Sequence, residues 1–117
     1  MTETTVPELT LRLRRFAAER GWDRSDTPKA LALAVLVESA ELLEHFQWSG
    51  EEDSNRLLPP KRQAVEAEMA DVLIFLLRLA DSLGIDPMAA ATRKIAINAA
   101  KYPADKARGR ATKYTEL

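Results

Sequence analysis

The chain contains no cysteine, which removes disulfides, thiolate metal sites and cysteine nucleophiles from consideration. It has a single histidine, His45, and the residue three before it is Leu42, so the Glu-x-x-His pattern of a di-iron bundle is absent. No charge sign dominates. Seventeen Lys and Arg against eighteen Asp and Glu leave a net charge of -1, which gives no electrostatic reason for nonspecific binding to nucleic acid or membrane. No apolar run approaches the roughly 20 residues of a membrane span. The opening "MTETTVPELT" lacks the basic and apolar regions of a signal peptide. A cytoplasmic protein is the expectation. Strand-like alternation and a fixed internal repeat are also missing.

What is present reads as helix. Four Gly and six Pro punctuate the chain. A first helix is predicted over about residues 6–20, with Leu9, Leu11, Leu13 and Phe16 as its apolar residues and Gly21 as its stop. Thr27 is placed to cap a second helix, with Pro28 in its first position; this helix is expected to reach about Trp48. After the polar connector "SGEEDSNRLLPP", a third helix runs from about Pro60 to Leu83 and ends at Gly84. Asp86 and Pro87 start a fourth, which runs to about Tyr102, before Pro103. The remainder, 103–117, is a basic, weakly patterned tail. The whole is expected to be one domain spanning 1–117.

Two segments are apolar on every side, Ala30 to Val37 in the second helix and Val72 to Leu77 in the third. A surface helix buries one stripe, whereas a helix apolar all round is surrounded. Four helices from one chain can hardly surround both. The expectation is an all-α four-helix bundle completed by homo-oligomerisation.

Acidic pairs adjoin both apolar runs. Glu38 and Glu41 are three residues apart and share a helix face, as do Glu68 and Asp71. An antiparallel hairpin turning near residues 49–59 brings the pairs to one level. Four carboxylates converging in a partly apolar site repel and resist ionisation, unless a hard cation sits among them. Oxygen-only ligation suits Mg²⁺ or Mn²⁺. Solvated acidic faces are the rival reading of any single pair. Glu44 and Glu66 are read as solvent-facing or supporting.

The ordered set "ESAELLEHFQW", "EAEMADVLIFLL" and "KIAINAAKYP" resembles the MazG-like all-α nucleoside triphosphate pyrophosphohydrolases, and within them the dCTP pyrophosphatase branch. The resemblance runs over nearly the whole chain. It implies cleavage of nucleoside triphosphates between the α- and β-phosphates, Mg²⁺ with Mn²⁺ as a substitute, and assembly as a dimer or a dimer-of-dimers tetramer. It assigns Glu38, Glu41, Glu68 and Asp71 to the metal, and Glu38 or Glu41 to the proton of the attacking water. Lys94, Asn98, Lys101 and Tyr102 would hold phosphates or sugar, while Trp22 and Trp48 match base-pocket positions. Arg108, Arg110, Lys113 and Tyr114 match a basic segment that closes over the triphosphate. Arg24, Ser25 and Asp26 depart from the branch, which has a histidine-containing stretch there. The alternative reading is a non-catalytic helical assembly or regulatory partner that keeps the interface and wears the acids as surface charge.

Overall fold

The computed structural model describes residues 3–117; Met1 and Thr2 of the predicted domain lie outside them. The described residues form helices α1 (Val6–Glu19), α2 (Trp22–Ser25), α3 (Pro28–Glu44), α4 (Pro59–Ser82), α5 (Pro87–Lys101) and α6 (Ala104–Ala107). Two 3-10 turns, Asp53–Asn55 and Tyr114–Glu116, complete the described secondary structure, and there is no strand among these residues. No described helix is long and apolar enough to cross a membrane. The all-α expectation is met.

The ends of the helices follow from local chemistry. Thr5 and Glu8 form a reciprocal capping box at α1. Gly21, at φ 71°, takes the left-handed turn that ends α1. Thr27 Oγ1 accepts from the Ala30 amide at 3.2 Å, and Asp86 Oδ1 accepts from the Met88 and Ala89 amides at 3.0 Å. Each cap satisfies amides that a helix start leaves orphaned. The second predicted helix stops earlier than expected, at Glu44 rather than Trp48. Beyond it the backbone tightens into three-residue steps, with Phe46 N–H donating to Leu43 O and Ser49 N–H to Phe46 O. Trp48, 89% exposed, has no packing to hold a further α-turn.

The chain divides into two compact units, one ending at Gly84 and the other spanning Ile85–Leu117. In the first unit α3 packs on α4, and α1 packs on α4. Three side-chain pairs fix the direction of the α3–α4 hairpin. Arg78 meets Asp26, Glu68 lies by His45 and Lys61 meets Ser49. One partner's number falls as the other rises, so α3 and α4 are antiparallel. Leu31, Val65, Leu77, Ala80 and Ala17 form the buried core. It is a small core, and it leaves Leu33, Leu36 and Val37 of α3 and Leu73 and Leu76 of α4 exposed on the single chain. The apolar runs are therefore not enclosed by this chain.

In the second unit the tail has structure that its sequence pattern did not announce. After α6 and Gly109, the chain brings Tyr114 edge-on to Tyr102, with ring centroids 6.0 Å apart. Lys101 Nζ lies 4.8 Å from the Tyr114 ring centroid. An aromatic contact and a cation–π contact thus join the end of α5 to the segment near the C-terminus.

Candidate active site

The α3–α4 hairpin brings three of the four predicted acids together. One carboxylate oxygen from each of Glu38, Glu41 and Glu68 lies within 4.8 Å of the others. Glu38 Oε2 and Glu68 Oε2 are buried and have no hydrogen-bond partner. Buried acceptors are normally satisfied, so two orphans in one cluster require an explanation. A hydrogen bond to Glu41, burial, and the charges of Glu41, Asp71 and Glu68 push the Glu38 carboxyl up to about 7. Like charges this close disfavour a second ionisation. Asp71 stands at the margin. It is exposed and outside the tight trio, yet its charge still reaches Glu38.

The donor set fits a hard divalent cation. All three close groups are carboxylates, two of them offer unpaired buried oxygens, and the like charges that add to the Glu41 hydrogen bond and burial in raising the Glu38 pKa are what a cation would offset. Glu66 behaves as expected of a solvent-facing acid, pairing with Arg62 at 3.3 Å one turn away, and Glu44 is exposed.

A cleft of about 480 Å³ opens beside Asp71. Leu9, Leu13 and Phe16 of α1, Trp22 of α2, and Ile74 and Phe75 of α4 line it, and Arg78 borders it. Trp22 stands edge-on to Phe16 with centroids 5.8 Å apart. One predicted aromatic, Trp22, is thus part of an apolar slot that has a predicted acid on its rim. The other, Trp48, is in the exposed turn after α3 and is not among the residues lining that slot. In the second unit, Lys94, Asn98 and Lys101 fall on one face of α5, followed by Tyr102 at its cap. Lys94 and Asn98 are exposed, while Lys101 is half-buried beside Tyr114. Arg108, Arg110 and Lys113 are exposed around Gly109.

Three contacts near the site were not anticipated. His45 Nε2 lies 4.0 Å from Glu68 Oε1; His45 is four residues after Glu41 on the same helical face, which was the available signal. Arg14 donates to Asp81 at 2.6 and 3.0 Å, and that hydrogen bond raises the Arg14 pKa and lowers that of Asp81. Arg78 Nη2 donates to Asp26 Oδ2 at 2.8 Å. The last two join residues 67 and 52 positions apart, a range that helix periodicity does not report.

An all-α chain with an acidic trio across a helical hairpin and an apolar slot beside it has the elements of a nucleotide-handling site. The particular class follows from comparison: the chain belongs to the MazG-like family, whose family model matches residues 33–117. It is similar to dCTP pyrophosphatase 1 of Homo sapiens, at 40% identity over 98% of this chain and 69% of that protein. The Bos taurus dCTP pyrophosphatase 1 is 36% identical over 99% and 70%. Among solved structures, a pyrophosphatase from Archaeoglobus fulgidus DSM 4304 superposes with a TM-score of 0.80 at 42% identity, covering 88% of this chain and 96% of that one. The family match starts inside α3, so α1 and α2, which wall the slot, precede it.

Proposed function

We propose that this chain is a Mg²⁺-dependent nucleoside triphosphate pyrophosphohydrolase. It cleaves a deoxynucleotide, a pyrimidine such as dCTP, to the monophosphate and pyrophosphate, as housekeeping of the cytoplasmic nucleotide pool. The pyrophosphohydrolase class rests on family membership and on relatives named dCTP pyrophosphatase. The metal dependence rests on one observation, the two orphaned oxygens of Glu38 and Glu68 inside a carboxylate cluster.

In this reading Glu38, Glu41, Glu68 and Asp71 hold the cation, with Mn²⁺ as a substitute. When bound, the cation supplies charge neutralisation at the phosphates and acidifies the water that attacks. Glu38 or Glu41 accepts that water's proton as the oxygen bonds to the α-phosphorus and the α–β bridging bond breaks, releasing pyrophosphate. Phosphoryl-type displacement needs positioning more than covalent help. The base sits in the slot against Trp22; Trp48, which is exposed and does not line that slot, keeps a base-binding role only on its resemblance to the family's aromatic positions. Lys94, Asn98, Lys101 and Tyr102 are the phosphate- and sugar-holding set of α5, and the basic residues of the tail assist them.

The exposed apolar residues of α3 and α4 support a homodimer or a dimer-of-dimers tetramer. A non-catalytic helical assembly would account for those residues equally, but it gives no reason for two buried carboxylate oxygens without hydrogen-bond partners. The deciding experiment incubates the protein with each dNTP, with Mg²⁺ or with EDTA, and separates the products by chromatography. Monophosphate plus pyrophosphate, in the Mg²⁺ arm alone, is the expected result. Diphosphate plus phosphate overturns the reading.

A further inference from the structure

Trp22 has little to hold it in place. It opens α2, a helix of four residues entered through the left-handed Gly21. A single turn has no stability of its own, because helix nucleation costs more than one hydrogen bond returns. Its local support is the Asp26 amide donating to Trp22 O at 2.9 Å, the Ser25 hydroxyl donating to the same oxygen at 3.4 Å, and the edge contact with Phe16. Among the described residues, a single side-chain hydrogen bond ties the segment 22–26 to α4, and it runs from Arg78 Nη2 to Asp26 Oδ2 at 2.8 Å.

The surroundings of that bond give it weight. Arg78 borders the 480 Å³ slot and also a second hollow of about 190 Å³, which Asp26 and Leu31 line as well. Arg78 thus lines two hollows, one on the Trp22 side and one shared with Asp26. The Arg78 side chain is nonetheless only 12% exposed, and its charge sits 5.9 Å from the ring centroid of Phe75, one turn before it on α4. Asp26 does not line the slot itself. It closes the Trp22 turn through its amide and grips α4 through its carboxylate.

We propose that Asp26 and Arg78 are a positioning pair that sets the width of the nucleotide slot, holding Trp22 on one wall against Phe75 on the other. The proposal rests on the reading of this slot as the seat of the base. A loosened wall weakens grip on the base and leaves the carboxylate chemistry intact, so the effect falls on KM rather than kcat.

The test uses Asp26→Asn, Arg78→Met, Arg78→Lys and the swap Asp26→Arg with Arg78→Asp, each in the full-length protein. Kinetics with dCTP are read beside acrylamide quenching of Trp22 emission in a Trp48→Phe background, where Trp22 is the remaining tryptophan. The Asn and Met variants should raise KM about tenfold with kcat within about twofold, and should make Trp22 more quenchable. Arg78→Lys should lose less than Arg78→Met, and the swap should recover most of both readouts. A merely structural role would lower the melting temperature without this split or this rescue. An active parent with unchanged KM in both single variants overturns the proposal alone. A parent that releases no pyrophosphate overturns the function assigned above. In that case unchanged Trp22 quenching in the variants would remove the clasp as well, and increased quenching reversed by the swap would uphold it as a device of the fold.

Discussion

Glu38 on α3 and Glu68 on α4 face the same small volume, each with one carboxylate oxygen buried and unbonded. Opposite charge does not hold them there. The hairpin brings them together, and the described side chains offer these two oxygens no hydrogen-bond partner.

Removing one charge from this cluster should therefore relieve the metal-free protein. Glu41→Gln is expected to keep or raise the melting temperature in EDTA while abolishing pyrophosphate release. Mg²⁺ should raise the melting temperature of the parent, since a ligand bound only by the native state adds about 2.7 kcal/mol at 100 times its Kd. The Gln variant should lose most of that gain. Full activity and an intact Mg²⁺ response in the variant would rule out the carboxylate cluster as the metal site.

Proton linkage gives a second expectation. The Glu38 pKa is raised from 4.5 to about 7 on folding, so the native state binds this proton more tightly than the unfolded chain does. Its contribution to stability is fully present below pH 4.5 and is lost as pH rises through about 7. In EDTA the melting temperature should fall across that window, and Glu38→Gln should flatten the fall. With excess Mg²⁺ the trend should reverse, because the cation and the proton compete for the same oxygens. A slope in EDTA that is identical in parent and variant would count against the shift.

Assembly can be probed at Leu36, 67% exposed in the middle of the apolar run of α3. The parent should scatter light as at least two copies of the 13.1 kDa chain. Leu36→Glu places a charge on that face and should shift the species toward monomer at micromolar concentration. A monomeric parent would leave the exposed Leu33, Leu36 and Val37 without a partner and defeat the expectation.

The sequence revealed most where a short-range rule governs. Thr27, Asp86, Gly21 and Gly84 marked helix ends because capping and left-handed turns are settled within four residues. Acids spaced by three beside apolar runs were enough, with an antiparallel hairpin, to bring Glu38, Glu41 and Glu68 together. The one-turn α2 escaped because four residues carry no period. The slot it helps form is tied to α4 by Arg78 reaching Asp26, a contact across 52 positions that local periodicity does not report. The early end of α3 had a related cause. Phe46 and Trp48 prolong the apolar pattern, but at Trp48 nothing packs against it to support a longer helix.

The Tyr102–Tyr114 contact bears on where the chain can be cut. By polarity alone, Pro103 is the natural boundary, since everything after it reads as a charged fringe. Yet trimming there would take away Tyr114 and leave Lys101 without the ring it rests on. A shortened protein would then be altered at a residue proposed to meet the phosphates, and a change in its kinetics would report on that lysine as much as on the missing tail.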